Sequence, residues 1–296
     1  MKNIPLLLLS TLVFLGSMTV TKPAAQKPNM IQTFETRGPE HGSLLIIGGR
    51  ANDEIWNKLK ELMGGADNLL VVIPTAASSE TLDQKFLDDF RNSFAKKGFS
   101  NVKVLHTRDR KEANSEAFIE PLTSAAAVWF SGGRQWRHAD SYLRTKTHEA
   151  FNEVLDRGGV IAGNSAGATI QGSYLARGDS KANTIMMGDH EEGLSFVTNI
   201  AIDQHLLARN RQFDMFEILD NRPELLGIGI DERNTAIVIQ KDRFRVIGES
   251  YVAIYDGTRW SKERDTIYQL PQGSREFYML KAGDEYDLRE RRVITN

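Results

Sequence analysis

Apolar runs that close on small or turn-forming residues alternate with helical patterns along this chain, and that alternation constrains its fold more than any other feature. Ser43-Leu44-Leu45-Ile46-Ile47 ends in Gly48-Gly49, and a helical stretch follows from Asp53 to Met63. Leu69 to Ile73 ends at Pro74-Thr75, ahead of an amphipathic pattern from about Glu80 to Lys97. Val102 to Leu105 reads as a short strand, and Ala125 to Phe130 as another, ending in Ser131-Gly132-Gly133. A helical pattern from about Thr147 to Arg157 leads into Gly159-Val160-Ile161-Ala162 and then Asn164-Ser165. Continuous apolar strands between helices predict an α/β fold, a mostly parallel central sheet with helices on both faces. Such sheets bind ligands beyond the carboxyl ends of their strands. The Gly48, Pro74, Ser131 and Asn164 turns all fall there.

After Gln204 the pattern changes. A helix is expected from about Leu206 to Asn221, then short strands at 227–230, 235–239, 243–248 and 251–256. These read as antiparallel additions that extend or flank the main sheet near the C-terminus. The 296 residues suit one large domain over 43–296. The start of the chain stands apart. Lys2 precedes the apolar run 6–16, which is about the length of a signal-peptide core and short for a membrane span. Residues 1–25 are therefore expected to be an export signal and 26–42 a polar linker, giving a periplasmic or secreted protein with no membrane span once the signal is removed. There is no cysteine, which excludes a thiol nucleophile, thiolate metal sites and disulfides. A net charge of −2 carries no footprint of nucleic-acid binding.

Chemistry concentrates at Gly163-Asn164-Ser165-Ala166-Gly167, a G-x-S-x-G pattern between an apolar strand and a helical start. Its plain alternative is packing, since small residues let a strand and a helix cross closely. Its glycines suit a turn that needs positive φ or close backbone approach, and a helix N-terminus aims N–H groups at whatever binds there. A serine needs a base. His41, His106, His138 and His148 read as surface or core histidines, and His190, beside Glu191 and Glu192, as solvated. His205 directly follows an apolar strand, with Asp203 and Gln204 crowding the same strand end forty residues after Ser165. No histidine follows it, whereas an ordinary α/β-hydrolase places its histidine late, after the acid. No His-x-x-x-His pair exists, and no metal site is expected.

The segments 130-FSGGRQ-135, 158-GGVIAGNSAGA-168, 203-DQHLLARNR-211 and 227-GIGIDE-232, in this order, resemble peptidase family S51, the serine peptidases that include dipeptidase E and the cyanophycinases. The resemblance covers most of the chain after residue 42. It implies a flavodoxin-like, class I glutamine-amidotransferase-like fold, no cofactor, and a small peptide substrate. Ser165 would be the nucleophile and His205 its base, with the reaction passing through an acyl-enzyme. Backbone N–H groups of Gly132, Gly133 and Ala166 would form the oxyanion hole. The family's acid lies between serine and histidine, which points to Asp179, with Asp189, Glu191 and Glu192 as alternatives. Gln135, Asp203, Gln204, Arg209 and Arg211 are the expected substrate contacts, and a homodimer is possible on this pattern.

The chain also departs from its relatives. Cyanophycinases act on a β-linked Asp-Arg unit and carry Asp where Arg134 stands, and Asp214 occupies a position where a third arginine is expected. These changes point away from that polymer and toward Asp-containing or isoaspartyl peptides. For Asp231-Glu232 a structural role, or support of neighbouring site residues, is the plainer reading, and binding of a substrate amine the sharper one. The competing function is a non-catalytic peptide- or amide-binding module on the same fold. Such a module would tolerate loss of Ser165 or His205, and both are present.

Overall fold

A computed structural model describes residues 35–78, 82–259 and 277–295. The expected signal segment 1–25 and most of the linker lie outside the described residues. In chain order the elements are β1 (Ser43–Ile47), α1 (Asp53–Leu62), β2 (Leu70–Ile73), α2 (Gln84–Ala95), β3 (Val102–Val104), α3 (Glu116–Ile119), β4 (Ala127–Phe130), α4 (Trp136–Tyr142), α5 (Lys146–Asp156), β5 (Val160–Asn164), α6 (Ala166–Thr169), β6 (Ile200–Gln204), α7 (Met215–Asn221), β7 (Leu226–Ile230), β8 (Thr235–Gln240), β9 (Arg243–Gly248), β10 (Val252–Asp256), β11 (Phe277–Leu280), β12 (Glu285–Asp287) and β13 (Arg292–Ile294).

Nine strands form the main sheet in the order β13-β12-β9-β8-β1-β5-β4-β2-β3. The block from β1 to β3 is parallel, and β8 joins β1 antiparallel. Both faces of the parallel block are covered, which is why its strands read as unbroken apolar runs. Leu45, Ile47, Val72 and Trp129 point to the side of α1 and α2. Leu44, Ile46, Val71, Phe130 and Ile161 point to α5 and to a second sheet. The long helices start where the chain supplies caps: Asn52 accepts from Ile55 N at 3.2 Å, Asp83 from Phe86 N at 2.7 Å and Thr145 from His148 N at 3.4 Å. Caps of this type contribute about 1 kcal/mol each.

The second sheet, β11-β10-β7-β6, packs through Ile200, Ile202, Ile228 and Ile230 against the main core and carries α7 on its other face through Met215, Phe216 and Leu219. Here the expectations need correction. Residues 227–230 are not simply antiparallel: β7 pairs parallel with β6 and antiparallel with β10. The expected helix 206–221 is a helix only from Met215. The stretch before it is turns, because the Asp231 carboxylate takes the N–H groups of Leu207 and Ala208 (2.9 and 3.0 Å) and Asn210 sits at φ +56°. The described end of the linker is part of the fold: Thr36 is buried, and Arg37 bridges to Thr198.

Candidate active site

The carboxyl ends of β1, β4 and β5 lie side by side, and β5 runs directly into Ser165. That residue holds φ +54°, a conformation that L side chains rarely adopt. Neighbouring bonds hold it there: Ser165 N donates to Ile47 O (3.1 Å), and its carbonyl accepts from Ala168 N and Thr169 N (2.9 and 3.1 Å). The flanking glycines serve close approach rather than positive φ. A Cβ on Gly163 would stand 2.4 Å from Gly167 O, and one on Gly167 would stand 2.0 Å from Phe130 O. So both readings of the motif hold together: small residues let α6 cross over β5 and β4, and that crossing lifts the serine hydroxyl out of the sheet.

His205 follows β6 and is also at positive φ (+56°), with its N–H on Gly48 O at 3.1 Å. The hydroxyl of Ser165 donates to His205 Nε2 at 2.7 Å. On the far side of the ring, Nδ1–H donates to Glu232 Oε2 at 2.8 Å. The His205 side chain is only 10% exposed. Burial pushes its pKa below the ordinary histidine value, the nearby Arg209 guanidinium adds to this, and the Glu232 carboxylate opposes it. The shift favours the neutral ring, whose Nε2 lone pair accepts from the serine hydroxyl.

The carboxylate on the ring is thus Glu232, and Asp179 is corrected as the candidate acid. The Asp179 carboxylate accepts from Lys181 N and Ala182 N and closes its own loop. The alternatives are occupied elsewhere: Asp189 by Ser180 and His190, Glu191 by Arg222, and Glu192 by Arg144. The reason is strand adjacency. Because β6 and β7 are parallel with Gln204 opposite Ile230, the residues just past each strand meet. Only the position of Glu232 at the end of an apolar strand hinted at this in the sequence.

Beside the serine, a Cβ on Gly132 would stand 3.2 Å from Ser165 Cβ and 3.7 Å from its Oγ, so the glycine leaves that approach open. Gly133, at φ +141°, lets the loop lie against Ala76, whose carbonyl a Cβ would meet at 2.3 Å. Among the described residues the N–H groups of Gly132, Gly133 and Ala166 donate to no backbone acceptor. They are available to a developing oxyanion.

The expected substrate contacts divide. Gln135, Asp203, Gln204 and Arg211 are buried and paired internally, a correction to their expected role. Gln135 Nε2 donates to Ala176 O at 2.8 Å. Asp203 is held bidentately by the buried Arg177 at 2.8 and 2.9 Å, and Arg211 donates to Gln204 Oε1 at 3.0 Å. Buried polar groups must find partners, and here they find one another. Arg177 also binds Asp214, the residue at the departed arginine position. Arg209 remains exposed, its Nε 4.0 Å from Glu232 Oε2. Of the other histidines, His138 and His148 bond to the carbonyls of Ser131 and Leu194, and His190 bonds to Asp189.

The profile of peptidase family S51 matches residues 44–247. A cyanophycinase of Geminocystis herdmanii is 33% identical over 227 residues, which cover 74% of this chain and 82% of that protein. A cyanophycinase of Synechococcus elongatus is 26% identical over 288 residues, covering 92% and 87%. Among solved structures, a peptidase from an acI-B1 actinobacterium superposes with a TM-score of 0.60 at 25% identity, over 84% of this chain and 98% of that one. A putative peptidase E protein of Listeria monocytogenes shares the fold with a TM-score of 0.51 at 16% identity, over 71% and 99%.

Proposed function

Because this chain belongs to peptidase family S51 and is a serine peptidase, we propose that Ser165, His205 and Glu232 carry its hydrolysis of Asp-containing or β-aspartyl peptides through an acyl-enzyme. The observation behind this is the continuous line of two short bonds from the serine hydroxyl through the imidazole to the carboxylate. Ser165 Oγ attacks the scissile carbonyl carbon as its proton passes to His205 Nε2. The carbonyl oxygen gathers negative charge, and the N–H groups of Gly132, Gly133 and Ala166 donate hydrogen bonds to it. Donors of this kind contribute roughly 3–4 kcal/mol each to such steps. Glu232 balances the imidazolium. The C–N bond then breaks, and the imidazolium gives its proton to the leaving amine. Water, deprotonated by the same ring, releases the acyl group from Ser165.

The preference for an acidic substrate rests on charge. Arg209 presents an exposed guanidinium beside the base, and guanidinium groups hold carboxylates well. Asp203, the carboxylate that would suit a substrate cation, is already committed to Arg177. Both features support an acidic partner and oppose an Asp-Arg unit. The apolar run at 6–16 supports work outside the cytosol, which fractionation and N-terminal sequencing of the mature chain would test.

The deciding experiment incubates the purified protein and its Ser165→Ala form with α- and β-linked aspartyl dipeptides, a β-Asp-Arg dipeptide, and a fluorophosphonate label. We expect turnover and labelling in the wild type only, with β-Asp-Arg the poorer substrate. Turnover that survives Ser165→Ala removes the nucleophile assignment. Peptide binding without turnover by the wild type would favour the binding-module alternative.

A further inference from the structure

One short turn touches all three groups of the reacting line. Ser165 N donates to Ile47 O (3.1 Å), His205 N to Gly48 O (3.1 Å), and Arg50 N to Glu232 O (2.9 Å). Asn164 Nδ2 ties the turn to the end of β5 through Gly49 O at 3.0 Å. The Arg50 side chain, 79% exposed, sets its Nε 3.3 Å from Glu232 Oε1, the carboxylate oxygen that His205 does not use. Gly49 has an ordinary backbone, so any residue could adopt its φ. What it lacks is room: a Cβ there would stand 2.6 Å from Glu232 Cγ and 3.0 Å from His205 Nδ1. Gly48 differs, because its Cβ would strike the Asp231 carbonyl at 2.1 Å, which is main chain and cannot step aside. At Gly49 the first obstacle is the side chain of the acid itself, with the His205 ring and the Glu232 Cα (3.1 Å) just behind it.

We infer that the Gly49-Arg50 pair is a positioning device for Glu232: Gly49 leaves the space in which the carboxylate closes on the imidazole, and Arg50 holds its other oxygen. The inference rests on the proposed serine peptidase mechanism and adds to it the residues that act through Glu232. A methyl group at Gly49 must push Glu232 Cγ from 2.6 Å to an ordinary contact of at least 3.4 Å, and a misplacement of about 1 Å in a reacting constellation can lower a rate by about 100-fold. The displacement falls on the acid and not on the substrate, so kcat bears the loss.

The test compares wild type, Gly49→Ala, Arg50→Gln, Glu232→Gln and Gly49→Ala/Glu232→Gln with an aspartyl peptide the wild type cleaves. Gly49→Ala is expected to lower kcat by roughly 10- to 100-fold with KM within about twofold. The acid limb of its pH profile should move to lower pH, because a retreating carboxylate supports the imidazolium less. Arg50→Gln, a change on an exposed side chain, should lower kcat about threefold or more and leave KM in place. The double variant should be no slower than Glu232→Gln alone, since both changes remove the same interaction. The inference is overturned when Gly49→Ala keeps kcat and its acid limb, or when its loss multiplies with that of Glu232→Gln. Should Gly49→Ala fail to fold, Arg50→Gln decides, and an unchanged kcat overturns it. Fluorophosphonate labelling separates the two levels: a wild type that is neither labelled nor active refutes the peptidase mechanism, whereas a labelled wild type with an undiminished Gly49→Ala refutes only the positioning role.

Discussion

Replacing Glu232 by Gln tests the reacting line most directly, because it keeps the side chain's shape and removes its charge. The carboxylate contacts Nδ1 at 2.8 Å, with charge centres about 4 Å apart once the imidazole is protonated. At an effective dielectric constant of about 20 that attraction amounts to about 4 kcal/mol. Part of that attraction is already present in the bond to the neutral imidazole, and Arg209 Nε at 4.0 Å draws on the same carboxylate. Roughly half to three-quarters of the attraction, about 2–3 kcal/mol, is therefore left for the transition state. That corresponds to a fall in kcat of roughly 30- to 150-fold. KM should hardly change, since the interaction strengthens only as the proton arrives. The pH profile gives a second readout. Activity needs the neutral imidazole, so it falls as the pH drops through the pKa of His205. Glu232 raises that pKa against burial and Arg209, so its loss moves the acid limb to lower pH. Steady-state kinetics of Glu232→Gln beside Asp179→Asn decides the matter. A Glu232→Gln enzyme within about threefold of wild type, with Asp179→Asn the more impaired, would refute the reasoning.

Two further outcomes concern stability. Arg177→Ala leaves the buried Asp203 carboxylate without its bidentate partner, which should lower unfolding free energy by about 3–5 kcal/mol in urea titrations. A loss under about 1 kcal/mol would show that Arg211, 3.7 Å away, replaces it. His138 is fully buried, and its pKa is lowered to about 4, burial being the main cause. The unfolded chain takes up this proton near the ordinary value of 6.5, whereas the folded chain does not until about 4. Stability contributed above pH 6.5 is thus lost as the pH falls through that window, about 3 kcal/mol in all. His138→Gln should show a correspondingly shallower decline between these pH values, and an unchanged slope would contradict the assignment.

The parallel block was legible because both of its faces are buried. Runs such as Leu70–Ile73 and Val160–Ala162 then carry no polar residue, and their ends are marked by turn residues. Ser165 and His205 were legible for a related reason: each is a polar group placed where an apolar strand stops. Glu232 sat in the same kind of place, yet its partner could not be read. Its meeting with His205 depends on β6 lying parallel beside β7, a long-range pairing that leaves no local trace. The turns after His205 were hidden for another reason. Leu206 to Phe213 has a composition a helix accepts, but the Asp231 carboxylate captures two of its N–H groups from a distance in sequence. The residues Gln135, Asp203, Gln204 and Arg211 look like ligand contacts as letters, and only the three-dimensional arrangement shows that they pair internally.

Ser165 stands on the nine-stranded sheet, whereas His205 and Glu232 stand on the four-stranded one. A growing chain completes the serine's own strand well before β7 exists. Until the later layer has formed and closed over the first, the hydroxyl is an ordinary alcohol with nothing to take its proton. Hydrolytic power therefore arrives late in the polypeptide's maturation, and an unfinished or truncated product carries the nucleophile without being able to use it.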